Sequence, residues 1–126
     1  TFSQLNQHSK YLNFKTRLLK ERVFVSQEQV QMQTIDMFAV SNDITQIDLL
    51  KIDTEGYELA VLKGAVQSIL NTKIILIELS SHDMYFNYDK KEIEQFLLQN
   101  NFLLVKTFRT PFQKWEDRIY VNSAKI

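Results

Sequence analysis

The stretch Lys51-Ile52-Asp53-Thr54-Glu55-Gly56-Tyr57-Glu58 carries the clearest chemical content of this chain. An apolar run, Ile47-Asp48-Leu49-Leu50-Lys51-Ile52, leads straight into the carboxylate of Asp53, and a helical pattern follows. In open α/β sheets, ligands bind beyond the carboxyl ends of the strands. Asp53 and Glu55 are therefore expected at the rim of a binding crevice, where they also suit the positive end of the following helix. A carboxylate in that place can accept a proton or orient a hydroxyl group. Gly56 permits close backbone approach or an unusual torsion. The same residues also fit a purely structural role, in which Asp53 or Thr54 caps the helix and Glu58 sits in its first turn.

A second rim follows the next apolar run, at Glu78-Leu79-Ser80-Ser81-His82-Asp83. If the two runs are neighbouring parallel strands, these side chains converge with Asp53 and Glu55 on one crevice. Asp53, Glu55 and His82 are the expected catalytic residues, and Glu78 is an expected substrate contact. His82, in a polar loop, equally suits an exposed and idle side chain. Asp53, Glu55, Glu78 and Asp83 could together hold a hard cation such as magnesium. No spacing rule asks for it, and no metal is assigned. His8 and His82 are the only histidines and cysteine is absent, which excludes a multi-histidine zinc site, thiolate ligands, disulfides and a cysteine nucleophile within these residues.

The elements that must position these groups read as follows. Residues 3–22 are polar, with Leu5, Tyr11, Leu12, Phe14, Leu18 and Leu19 loosely at helical spacing and a surplus of lysine and arginine. They form a solvated arm about residues 1–22, or a flap that attracts an anionic substrate. Short strands are expected at Val23–Val25 and Val30–Gln33. Thr34 then caps a short helix containing Ile35, Met37, Phe38 and Val40. After the strand ending at Asp53, Leu59, Leu62, Val66 and Ile69 or Leu70 share a helix face that Gly64 breaks or bends. Ile74-Ile75-Leu76-Ile77 lacks alternation, as in a parallel strand buried on both faces. A helix over 92–100 ends near Asn101, a strand covers 102–108, Pro111 marks a loop, and Ile119 to Val121 form a last strand. Alternation of strands and helices implies an open α/β sheet. The absence of a helix before the last strand implies that it pairs antiparallel with its predecessor, at the edge.

Composition sets the outer limits. The chain has 126 residues, enough for one domain with a core and too few for two. Its formal net charge is +0, so no global field draws it to nucleic acid or to an anionic membrane. No apolar run nears the length of a membrane span, and no signal peptide is visible, so the expected location is cytoplasmic. The first residue is Thr1, so a preceding segment is expected. There are 2 glycines, where roughly nine would follow from a usage of about 7%. Gly56 and Gly64 cannot form a dinucleotide or phosphate loop. Any glycine-rich cofactor cradle lies outside these residues.

Asp48-Leu49-Leu50-Lys51-Ile52-Asp53-Thr54-Glu55-Gly56-Tyr57-Glu58, continued by Val61-Leu62-Lys63-Gly64-Ala65, resembles the signature of the FkbM-type methyltransferases. That signature reads roughly D-x-[LI]-K-[IL]-D-x-E-G-x-E and then V-L-x-G-A, and every named position is kept. Thr34-Ile35-Asp36 and Ile77-Glu78 also fall where the family places similar residues. The resemblance implies the C-terminal part of a Rossmann-like methyltransferase fold, mainly parallel with an antiparallel last strand, whose glycine-rich cofactor-binding front is missing. The strand ending at Asp53 would be the fourth of seven and the next the fifth. It further implies an S-adenosylmethionine-dependent O-methyltransferase acting on a sugar or natural-product hydroxyl, with S-adenosylmethionine bound by the full-length protein and these residues inactive alone. The alternative is a non-catalytic binding domain on a degenerate methyltransferase scaffold. The expected partner is a small-molecule or carbohydrate acceptor, with no nucleic acid or membrane. A homodimer is expected if the strand ending at Asp53 leaves an apolar edge uncovered.

Overall fold

A computed structural model describes residues 8–10, 13–14, 17, 29–80, 85, 88–109 and 114–125. The arm, the strand expected at Val23–Val25, His82 and Pro111 fall wholly or largely outside them. Helix α1 (Ile35–Ser41) leads to strand β1 (Ile47–Ile52), helix α2 (Glu58–Lys63), a 3-10 turn (Ser68–Asn71) and strand β2 (Thr72–Ser80). Helix α3 (Lys90–Gln99) and strands β3 (Phe102–Arg109) and β4 (Trp115–Asn122) complete the described part.

Local chemistry explains the boundaries. Thr34 caps α1, its side chain accepting a hydrogen bond from the Met37 amide. Asp89 does the same for α3 through the Lys91 amide. Asn100 closes α3, and Asn101 follows at φ 65, a left-handed torsion that asparagine tolerates better than most residues. Gly64 ends α2 with an ordinary φ of -87; what it supplies is room, since a Cβ there would lie 3.2 Å from the Thr34 side chain. Its carbonyl accepts from the Asp36 amide, and the Asp36 carboxylate accepts from the Gln67 and Ser68 amides and the Ser68 hydroxyl. Asp36 thereby ties α1 to the segment after α2.

The sheet order is β1-β2-β4-β3. β1 and β2 are parallel, and β4 is antiparallel to both β2 and β3. Three strands therefore run one way, and the last is threaded against them. β4 is interior and not at the edge, contrary to expectation; among the described residues the edge strands are β1 and β3. Its residues alternate strictly between buried and half-buried, as an interior strand with one covered face requires.

One face of the sheet packs against the helices. Ile52, Ile75, Ile77, Leu79, Phe102 and Tyr120 form a single core with Leu62, Ile69, Ile93 and Leu97. Each fully buried aliphatic side chain contributes about 1.5–3 kcal/mol. The other face is open among the described residues, with Leu49, Ile74 and Leu103 exposed. The both-faces burial expected for β2 is thus half realised: Ile75, Ile77 and Leu79 are buried, while Ile74 is exposed and Leu76 only half-buried. Val30–Gln33 forms no strand; its residues are exposed and pair with nothing in the sheet. A weak alternation without a partner strand does not hold an extended segment in a ladder. The helical face drawn through residues 59–70 is also interrupted, with Leu62 and Ile69 buried but Val66 and Leu70 exposed, because α2 stops at Lys63.

Leu97 and Leu98 separate the two faces of α3, at 0% and 63% exposure. Leu97→Ala should cost about 2–5 kcal/mol in urea unfolding, and Leu98→Ala should stay within about 0.5 kcal/mol. Equal losses would mean that α3 does not bury the face described.

Candidate active site

The turn from β1 into α2 is organised by Glu58. This carboxylate is 2% exposed and accepts hydrogen bonds from the Thr54 amide (3.2 Å), the Thr54 hydroxyl (3.1 Å) and the Gly56 amide (3.0 and 3.1 Å). Burying a carboxylate is costly unless donors surround it, and here the turn itself supplies them. Glu55 takes φ 51 and Gly56 takes φ 99. A left-handed torsion at a non-glycine residue costs on the order of 1–3 kcal/mol and concentrates at functional sites. At Gly56 no side chain fits, because a Cβ would lie 2.4 Å from the ring of Tyr85.

This geometry decides between the two roles open to Asp53. The N-cap of α2 is Tyr57, without any side-chain capping bond, so neither Asp53 nor Thr54 caps the helix. The helix also does not start at once; residues 53–57 form an intervening turn. Asp53 is exposed just past the carboxyl end of β1, its Oδ2 2.8 Å from the Lys51 Nζ. Both side chains are largely exposed, and such a surface pair contributes little to stability.

Glu78 lies near the carboxyl end of β2, half-buried, with Asp117 of β4 as its cross-strand partner. Burial pushes the Glu78 carboxyl up, and the charges of Asp53, Asp117 and Glu55 push the same way against Lys51. Tyr85 and Tyr88 stand over this end of the sheet with ring centroids 6.1 Å apart. The Tyr88 hydroxyl accepts from the Ser80 amide at 2.9 Å. Burial foremost, and then neighbouring carboxylates, raise both phenols above their usual range. The structure thus brings Asp53, Glu55 and Glu78 to one end of the sheet. His82 lies outside the described residues. Among those residues no three histidine, cysteine, aspartate or glutamate side chains are placed to hold a metal ion.

The family model for the FkbM methyltransferase domain matches residues 2–104. The chain belongs to the FkbM methyltransferase family. No curated protein and no solved structure matches it. The family match contains the whole β1–α2 turn and Glu78, and stops within β3. For this family member, the mixed α/β sheet is consistent with a methyltransferase-like fold.

Several site residues escaped sequence reasoning. Glu58 was placed only in a first helical turn, although its spacing of two and four residues from Gly56 and Thr54 was a signal for a carboxylate that folds back onto the turn. Asp117 and Tyr85 carried no local signal, since each reaches the site from a separate segment. A shallow cleft of about 210 Å³, lined in part by Asp36, Ile44, Ile47 and Ser68, lies at the opposite end of β1 and is remote from the acidic groups.

Two outcomes follow. Glu58→Ala orphans the Thr54 and Gly56 amides and should cost about 1–3 kcal/mol in chemical denaturation; a loss below about 0.5 kcal/mol would show that the turn holds without it. Glu78 should titrate above 4.5 by carbon-detected NMR. The folded carboxyl keeps its proton to a higher pH than the unfolded one, so its ionisation weakens the fold as pH rises above 4.5. Asp53→Asn removes a repelling charge and releases Lys51, and should lower that pKa. An unchanged titration would place Asp53 too far away to share a site.

Proposed function

We propose that this chain forms the acceptor-handling side of an S-adenosylmethionine-dependent O-methyltransferase that acts on a sugar or natural-product hydroxyl. The observation that carries this reading is the exposed carboxylate of Asp53, just past the carboxyl end of β1 and at the same end of the sheet as Glu78, in a chain of a methyltransferase family.

When bound, S-adenosylmethionine supplies a methyl group on a positively charged sulfur for in-line displacement. The described residues do not fit its nucleoside end: Gly56 is closed by Tyr85 and Gly64 by Thr34, so neither offers an open backbone cradle. In this reading another stretch of polypeptide supplies that cradle and completes a Rossmann-like sheet. The contribution of this chain is to place the acceptor and manage its proton. Asp53 accepts the hydroxyl proton or orients the hydroxyl by a hydrogen bond. Glu78 and Glu55 keep this end of the sheet acidic. Glu58 fixes the turn from which Asp53 and Glu55 project, which limits the motion that would misplace a bound hydroxyl.

General-base assistance is worth about 10²- to 10⁴-fold in rate. In the full-length enzyme, Asp53→Asn should lower kcat by at least about a hundredfold while the melting temperature stays nearly unchanged. Turnover near that of the wild type would transfer the role to Glu55 or Glu78.

A further inference from the structure

Gly56 is gripped from two sides. Its amide donates to both oxygens of the buried Glu58 carboxylate, at 3.0 and 3.1 Å. The other side belongs to Tyr85, which comes from the stretch between β2 and α3 and is 7% exposed. The place where a Gly56 Cβ would stand is 2.4 Å from Cγ of the Tyr85 ring, 2.7 Å from Cδ2 and 2.8 Å from Cδ1. Carbons in ordinary contact sit at about 3.5–4.0 Å. The base of the ring thus rests where any other residue would carry its first side-chain carbon. That base is the stiff end of the side chain, so the contact ties two backbone segments closely together.

The torsions at this point give the contact its importance. Glu55 at φ 51 and Gly56 at φ 99 lie in the left-handed region. A non-glycine residue is held there only where its surroundings over-determine it. Glu58 supplies one restraint, through hydrogen bonds from Thr54 and Gly56. Glu58 opens α2, however, and moves with the turn it braces. Tyr85 is the restraint from outside, and it refers the turn to the segment that follows β2.

That segment has its own anchor. The Tyr85 and Tyr88 rings are 6.1 Å apart and tilted by 59°, within the range of an aromatic pair. The Tyr88 hydroxyl accepts from the amide of Ser80, the last residue of β2. Contacts therefore run from the end of β2 through Tyr88 and Tyr85 to Gly56. They join the strand that carries Glu78 to the turn that carries Asp53 and Glu55. Burial, and then the charges of Glu55, Glu58, Glu78 and Asp53, push the Tyr85 phenol above its usual range. It stays neutral beside these carboxylates and is no base; its part is steric.

We propose that Tyr85 is a positioning residue: its ring, seated on Gly56, sets the Glu55–Gly56 turn against the end of β2 and so fixes where the Asp53 and Glu55 carboxylates stand relative to Glu78. The ring does this and the hydroxyl does not. The consequence for turnover rests on the methyltransferase reading above, whereas the effect on the turn does not.

Two measurements on the full-length protein need no activity. A double-mutant cycle compares the thermal melts of the wild type, Gly56→Ala, Tyr85→Ala and the pair. Gly56→Ala meets both torsional strain and the ring; once the ring is gone, only the strain remains. The Tm loss from Gly56→Ala should therefore be at least about 2 °C smaller in the Tyr85→Ala background. Hydrogen exchange reads the turn itself. The Gly56 amide should exchange at least about tenfold faster in Tyr85→Ala and at the wild-type rate in Tyr85→Phe. Kinetics read the consequence, at a temperature where each variant is folded. Tyr85→Ala should lower kcat at least about tenfold, with KM for S-adenosylmethionine within about twofold, since a misplacement of about 1 Å costs on the order of a hundredfold. Tyr85→Phe should stay within about twofold of the wild type in both constants. Tyr85→Leu, which keeps some bulk without the ring, serves where Tyr85→Ala does not fold, with the same direction of each effect. Additive Tm losses, unchanged Gly56 exchange in Tyr85→Ala, or a kcat for Tyr85→Ala equal to that of the wild type would overturn the proposal. So would a Tyr85→Phe variant as impaired as Tyr85→Ala, which gives the role to the hydroxyl. A wild-type protein that methylates no hydroxyl acceptor is a failure of the methyltransferase reading alone, and the cycle and the exchange still decide whether Tyr85 sets the turn.

Discussion

The buried carboxylate of Glu58 and the turn from β1 into α2 depend on each other. Without the donors of Thr54 and Gly56, a charged group 2% exposed would have no compensation for its lost hydration. Without Glu58, the backbone amides of Thr54 and Gly56 would lose the carboxylate that accepts from them, next to the left-handed pair Glu55–Gly56. Tyr85 closes the arrangement from the other side by filling the space a side chain at Gly56 would need. The direction of Asp53 and Glu55 into solvent at the end of the sheet is a consequence of this packing. The family signature, read physically, is largely a recipe for the turn: Glu58 braces it, Gly56 admits the ring, and Asp53 is left exposed at its start.

The second organising feature is β4. Threaded antiparallel between β2 and β3, it places polar residues on both faces of one strand. On the helix side Glu116, Arg118 and Asn122 are buried, each with partners; Asn122 donates to the Thr72 carbonyl at 3.0 Å. On the open side Asp117 meets Glu78.

Much of this was legible in the sequence where a pattern was local. The run Ile47 to Ile52, the cap at Thr34, the stop near Asn101 and the dense run from Ile74 each carry their signal within a few residues, and the structure has each of them. That Asp53, Glu55 and Glu78 share one end of the sheet followed from strand-end geometry. What was not legible depends on contacts between distant segments. Nothing in Trp115 to Asn122 says that it enters the sheet beside β2 rather than at the edge, because that choice is made by the core beneath it. Val30 to Gln33 shows the converse, where alternation without a partner produces no strand. Tyr85 meets Gly56 across a separation that no spacing rule covers.

The central claim is that the acceptor hydroxyl is held by Asp53 at the carboxyl end of β1. A crystal structure of the full-length enzyme with the demethylated cofactor product and an acceptor tests it most directly. The account places the acceptor oxygen about 2.6–3.2 Å from an Asp53 carboxylate oxygen, the reach a proton acceptor needs. An acceptor bound elsewhere, with Asp53 facing only solvent and Lys51, would contradict it.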